Sequence, residues 1–562
     1  MKLIKRTTLH FSEGTSDKVY EVDLCEVGVG AYVVNFRYGR RGAQLKEGSK
    51  TVSAVAQAEA EKIAAALLAE KTKKGYREVS ADAINAAPIP VRALQPKADG
   101  DARAQAVLQH LQKPNGEWKI ERVIWRAGEL KLQAAAPLIV RYIGSGDALR
   151  DYCCAWALGW CGDASAVSAL GLLTNDAARP AHVRAIALEA VRKLSPAASS
   201  ASVAAEWIKD LPVSLQALAV NGPAERFSQF FFEYIAGGEA QRMALTETLY
   251  LIDNEHVRPA LLHFARTAPL RPNTFKQLRH LLKAAEYRRD AEVFGLLAYR
   301  FEKERAMYRN WHENPRAKEA IQYGEFVSGP KSEQTKPDTK FAYSDRTRRY
   351  LRQRVWRTLR RLGELQDGDY VKMAVGVLLP FTDADAQETR QATHYELDRT
   401  TWRSIATETV HWDRFAGYVA FNHVLYQNSP RYQLKPNTIA WRCRKNYKPG
   451  NPEPPVREEA FPRAWEAHPA GLLHLLAESA CEPVHHFAVK ALRACTDFCQ
   501  QLDTAAVVML LGRPYAVTAK LGFELALKRY QAEAPDLNLV LAVADCCDAE
   551  ARATAHRWIA EG

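Results

Sequence analysis

The chain is 562 residues long, 47% apolar and 25% charged, which is too long for a single hydrophobic core and too apolar for a disordered or fibrous protein. Its formal net charge of +12 suits a polyanionic partner. No run reaches the roughly 18 uncharged apolar residues of a membrane helix, and nothing apolar follows the charges of Met1-Lys2-Leu3-Ile4-Lys5-Arg6, so a soluble, cytoplasmic, multidomain protein with ten reduced cysteines and no membrane partner is expected.

Residues 1–79 read as strands followed by one helix. Val19 to Leu24 alternates with period two, Ala31 to Arg37 forms a second strand, and Gly28 and Gly39 punctuate the turns. From Val52 to Lys71 the spacing becomes helical and alanine-rich. Residues 80–101, with Pro88, Pro90, Pro96 and Gly100, read as a linker.

From residue 102 the pattern is helical almost to the end of the chain. Residues 102–326 read as helical repeats, with apolar helices recurring over roughly 110–200 at intervals of roughly 30 to 35 residues. One turn stands out, Leu158-Gly159-Trp160-Cys161-Gly162-Asp163, in which Gly162 stops one helix and Asp163 caps the next. Val327 to Asp345, carrying Gly329, Pro330 and Pro337, reads as a mobile loop. A basic helical region over 346–445 follows, its first helix expected to order fully only on binding. A C-terminal helical region, 446–562, opens on five prolines before residue 463.

Charge is unevenly spread: net +4 over 1–79 and +14 over 258–361, against −2 over 80–257 and −4 over 362–562. Concentrated positive charge is what a phosphate-backbone site requires. The densest run spans Arg346 to Arg361. Wound as a helix, it gathers Leu351, Val355, Leu359 and Leu362 on one side and Arg346, Arg349, Arg354, Arg357, Arg360 and Arg361 within an arc of roughly 140° opposite. These six arginines are candidate contacts to duplex phosphates.

Three pieces of the N-terminal segment stand in a telling order: Ser16-Asp-Lys18-Val-Tyr20-Glu-Val22, then Tyr32-Val-Val-Asn-Phe36-Arg37-Tyr38-Gly39-Arg40-Arg41-Gly42, then Lys71-Thr-Lys73-Lys74-Gly75-Tyr76. Together they resemble the WGR domain, named for a Trp-Gly-Arg tripeptide and found in DNA-break-sensing poly(ADP-ribose) polymerases and many bacterial proteins. Tyr38 replaces the tryptophan of that name. The resemblance implies a bacterial, nucleoid-associated protein of DNA repair whose partner is duplex DNA at ends or nicks. Lys18, Arg37, Tyr38, Gly39, Arg40, Arg41, Lys73 and Lys74 would form the binding site. The glycine would sit at a turn tip near phosphate, the aromatic ring would stack on an exposed base or sugar, and arginine would clamp phosphate oxygens.

The helical part resembles HEAT repeats, which gives a small α+β WGR-like domain followed by an all-α solenoid, with protein partners along the repeat. No phosphate loop, zinc helix, nucleophile elbow or dinucleotide fingerprint is present, so a non-enzymatic protein without cofactor or metal is expected. Cys481, His485, His486, Cys495 and Cys499 match no zinc-finger spacing and read as buried thiols and surface histidines. Two alternatives stand: a HEAT-like DNA glycosylase using Trp118, Trp125, Trp156 and Trp160 with Asp151 and Asp163, and a regulator or scaffold tethered to DNA.

Overall fold

The structure is a computed structural model that describes residues 2–13, 16–28, 30–40, 45–51, 54–73, 75–79, 98–114, 118–195, 205–237, 240–306, 343–398, 403–435 and 440–561. The chain forms two compact units, 1–105 and 106–562. Of the predicted linker over 80–101 and the predicted loop over 327–345, residues 80–97 and 327–342 lie outside the described residues.

The first unit is an antiparallel sheet of β1 (Lys2–Glu13), β2 (Ser16–Gly28), β3 (Ala31–Arg40), β4 (Lys46–Ser49) and β5 (Arg77–Val79), in the order β4-β3-β2-β1-β5. Helix α1 (Gln57–Thr72) buries Ala60 and Leu67 against Leu9, Tyr20, Val22, Leu24 and Val34. The period of two decides this face: Tyr20, Val22 and Leu24 pair in register with Tyr38, Phe36 and Val34. On the other face Arg6 pairs with Asp23 at 2.6 Å and Arg37 with Glu21 at 2.6 Å.

The helix starts at Gln57, not at Val52. Val55 is held in a bridge to Tyr32, with both N–H···O contacts at 2.8 Å, so the chain is still extended two residues before the helix, and residues 52–53 lie outside the described residues. Gly39 is likewise no turn residue, because it lies inside β3 opposite Val19.

The second unit is largely helical. Helix Ala148–Cys161 packs between Ile120–Glu129 and Ala181–Leu194. Gly162 ends it, and Asp163 accepts from the Ser165 amide at 2.9 Å to start the next turn, as its sequence predicts. The helix Ala98–Gln112 opens earlier than residue 102, inside the predicted linker. Within 346–445 the expectation of unbroken helices fails: β6 (Arg390–Asp398) pairs with β7 (Arg403–Trp412), and β8 (Tyr432–Lys435) with β9 (Ala440–Cys443). In β6 and β7 the alternation is written largely in Thr, His and Glu, which hides it from a hydrophobicity pattern, whereas β8 and β9 bury Tyr432, Trp441 and Cys443 but are only four residues each. Among the described residues no helix is long and apolar enough to cross a membrane.

Helix Asp345–Glu364, the arginine helix, is complete without any ligand. Ser344 caps it by accepting from the Thr347 amide at 3.1 Å, Tyr343 is anchored by its hydroxyl to the Phe301 carbonyl at 2.9 Å, and Leu351, Val355, Leu359 and Leu362 are buried. The apolar stripe docks the helix against the rest of the unit. Arg348 and Arg352 fasten it further: Arg352 meets the buried Glu302 at 2.5 Å, and Arg348 donates to the Phe301 and Glu302 carbonyls.

Candidate nucleic-acid interface

The three motif pieces of the first unit converge on Tyr20. Its ring stacks with Phe36 at 5.7 Å and Tyr38 at 5.9 Å, meets Tyr76 edge-on at 6.2 Å, and lies 4.7 Å below the Lys71 ammonium. Tyr38 is 42% exposed and so forms the open end of this aromatic row. Burial pushes the Tyr20 hydroxyl up to about 12, which keeps it neutral as a floor for the row. At the far end Phe11 packs on Tyr76 at 5.2 Å. Gly75, with φ of +87°, turns the chain there, and a Cβ at that position would approach Phe11 within 3.1 Å.

Lys18 and Lys73 are exposed beside the row, Lys18 opposite Arg40 in register and Lys73 at the C-terminus of α1. Arg37 does not join them. It lies one residue out of phase, on the other sheet face, neutralised by Glu21. The Arg40 backbone ends β3, while its side chain, Arg41 and Lys74 lie outside the described residues. The surface available to a ligand is thus a strand-borne aromatic row with lysines, not a glycine-tipped turn. Tyr20, Phe36 and Tyr76 were missed as members, although the period-two spacing of Phe36 and Tyr38 is the signal that would have found them.

In the second unit the arginine arc is divided. Arg354 is turned into an ion pair with Glu286 at 2.6 Å, Arg361 is paired with Glu129, and Arg360 meets Glu364 at 2.8 Å. Arg357, exposed, donates to the Gln353 carbonyl at 3.2 Å, while Arg346 is half-buried and Arg349 exposed on the first turns of the helix. The expectation of six guanidinium groups presented together is corrected: acids remote in sequence, Glu129 and Glu286, reach the arc through the fold.

Arg354, Arg357, Arg360 and Arg361 instead form one wall of a cleft of about 620 Å³ whose other wall carries Trp125, Trp156 and Trp160. Trp125 and Trp156 stack at 3.7 Å between centroids, and Trp156 and Trp160 lie 6.5 Å apart. Arg289 covers Trp160 at 4.5 Å, and Lys193 lies over the same ring. Desolvation against that ring, helped by Arg289, pushes the Lys193 ammonium down to about 7. Trp118 is elsewhere, stacked on His110 at 4.4 Å. Asp151 is engaged by the Gly144 amide and Arg179, and Asp163 caps a helix, so neither lines the cleft.

The cysteine and histidine group separates. His485 is buried between Thr518 and the Ser479 carbonyl, contrary to a surface position, and His486 faces Glu453 at 3.2 Å. Cys495 and Cys499, at the start of and within the helix Thr496–Gln501, contact the Ala491 and Leu492 carbonyls of the preceding helix Glu482–Arg493. Among the described residues no group of three metal-ligating side chains comes together.

The model of the WGR domain, a nucleic-acid-binding module, matches residues 5–83. No curated protein and no solved structure gives a significant match to the chain.

Proposed function

We propose that this protein is a non-enzymatic DNA-binding protein of repair or genome maintenance, in which the WGR domain recognises an end or nick and the helical unit adds positive charge along the duplex. The observation that carries this reading is the convergence of Tyr20, Tyr38 and Tyr76 with Lys18 and Lys71 on one surface. A ring exposed at the end of a rigid aromatic row suits the last base pair or sugar of a terminus, where no neighbouring pair competes for stacking. The helical unit is read as a HEAT-like repeat on the strength of its helix, Gly162, Asp163, helix turn.

Stacking on an aromatic is worth about 1 to 3 kcal/mol per base. Tyr38→Ala should therefore weaken binding to linear duplex tenfold or more while leaving closed circular duplex within about twofold. Tyr38→Trp, with the larger ring, should hold or raise the preference. Equal losses on linear and circular DNA in a competition assay would reject end recognition.

Salt gives an independent test of the electrostatic part. The +14 over 258–361 supports several phosphate contacts, each lowering log affinity by about 0.9 per decade of salt. A titration between low and physiological salt should give a slope steeper than about −3, and a slope near zero would remove the phosphate reading.

A further inference from the structure

The cleft between the tryptophans and the arginine helix holds more hydrogen-bond donors than the fold uses. Trp160 Nε1, Tyr287 Oη, Arg289 Nε and Arg361 Nε are all buried without a hydrogen-bond partner among the described residues, and all four residues line it. Leaving a buried donor unmade is costly, and these four lie just beneath the lining of the cleft rather than on its open surface, so they mark a polar wall and not direct contacts to an occupant. Tyr287 is only 3% exposed and reaches its position because residue 159 is glycine: a Cβ there would fall 1.7 Å from the Tyr287 hydroxyl.

The remaining chemistry narrows the occupant. Seven Lys or Arg side chains line the cleft against four carboxylates, an excess that favours an anion. The opposite wall is aromatic and half-buried, which favours a flat ring, and a base on it would take the place of the Arg289 guanidinium on the Trp160 face. The volume of about 620 Å³ lies within the about 300 to 1,000 Å³ of sites that hold a small organic ligand. An inorganic phosphate would leave the tryptophans unused, and a neutral aromatic would leave the arginines unused.

We propose that this cleft binds one nucleotide whose base is unstacked, the base lying on the Trp156 and Trp160 side and the phosphate toward Arg357 and Arg360. The site is separate from the aromatic row of the WGR domain. The proposal rests on the DNA-binding reading only for the source of the nucleotide, which is then an unpaired position in a strand rather than a free mononucleotide.

The test uses the full chain and a closed circular duplex carrying a single unpaired 2-aminopurine nucleotide, beside the same circle fully paired. Closed circles remove ends from the comparison. The unpaired circle should bind at least tenfold tighter, and its 2-aminopurine emission should be quenched by stacking. Trp160→Leu and Arg357→Gln should each abolish the preference and the quenching, whereas Tyr38→Ala should keep the quenching at saturating protein. If Trp160→Leu loses helical circular dichroism, the exposed Arg357→Gln decides. Quenching that survives Arg357→Gln, or that vanishes with Tyr38→Ala, overturns the proposal. The second arm offers 2-aminopurine deoxyribonucleoside monophosphate without DNA. Quenching of it at micromolar protein, with no preference between circles, overturns the strand-held source and leaves a free nucleotide as the occupant. Loss of end preference by Tyr38→Ala with the cleft result intact would show that the two sites stand or fall separately.

Discussion

Glu302→Ala should lower the stability of the helical unit by about 3 to 5 kcal/mol, the cost of leaving one member of a buried ion pair without its partner. Glu302 is 3% exposed and joins three elements. One carboxylate oxygen takes the Arg352 guanidinium at 2.5 Å, and the other accepts from the Val419 and Ala420 amides at 2.8 and 3.0 Å, where the helix Val419–Tyr426 begins. A carboxylate at a helix N-terminus satisfies amides that have no partner in the helix and meets the positive end of its dipole. Without it, Arg352 keeps a charge inside the protein and two amides lose their acceptor. Glu302→Gln retains an acceptor oxygen but not the charge, and should fall between wild type and alanine. Urea unfolding followed by circular dichroism would measure this, and a change below about 1 kcal/mol for alanine would refute the role given to Glu302. The effect reaches the cleft as well, because Arg352 orients the helix that supplies Arg357 and Arg360.

The parts of this molecule that the sequence made legible are those dictated by short-range periodicity. Tyr20, Val22 and Leu24 alternate because one sheet face is buried under a helix, and Leu351, Val355, Leu359 and Leu362 recur at helical spacing because one stripe is buried. Both patterns are local and survive in one dimension. The pairing of Arg361 with Glu129 and of Arg354 with Glu286 does not, since the partners are 232 and 68 residues apart and nothing near the arginines announces them. The paired strands escaped for different reasons: β6 and β7 are polar on most positions, so burial writes little into them, while β8 and β9 bury Tyr432, Trp441 and Cys443 but are only four residues each, too short for an alternation to stand out. In the candidate site, Tyr38, Lys18 and Lys73 were legible through the order of the motif. Arg37 was misplaced because a strand sends adjacent side chains to opposite faces, a fact that a motif read as a turn cannot convey. Trp125, Trp156 and Trp160 could be named from sequence as a group, but their service as a wall facing arginines depends on the approach of two distant helices.

Acid should destabilise the helical unit well before its carboxylates titrate, through two buried histidines. Burial pushes His423 and His485 down from 6.5 to about 4. As the neutral ring His485 is fully satisfied: Nε2–H donates to the Ser479 carbonyl at 3.0 Å, and Nδ1 accepts from the Thr518 hydroxyl at 2.8 Å. His423 donates from Nδ1 to Gln427 at 2.8 Å and leaves Nε2 buried without a partner, so a second proton there would find no acceptor. The unfolded chain binds these protons from about pH 6.5 downward, while the folded chain does so only near pH 4. Stability therefore falls across that window by about 1.4 kcal/mol per pH unit for each ring, or about 3 kcal/mol in all for His423 alone. The pair of His486 and Glu453 opposes the trend only in part. Glu453, held down from 4.5 to about 2 by the His486 hydrogen bond, keeps its contribution above about pH 4.5 and loses it as the pH falls toward 2. His486, pushed up by the same bond, contributes fully below its ordinary value and loses that contribution at higher pH. The two buried rings therefore dominate between pH 6 and 4.5. Unfolding free energies measured at steps across that interval should show a slope near two protons in the wild type and near one in His485→Gln. A slope unchanged by the substitution would mean that His485 is already protonated in the folded protein, and that the hydroxyl of Thr518 accepts from the ring instead of donating to it.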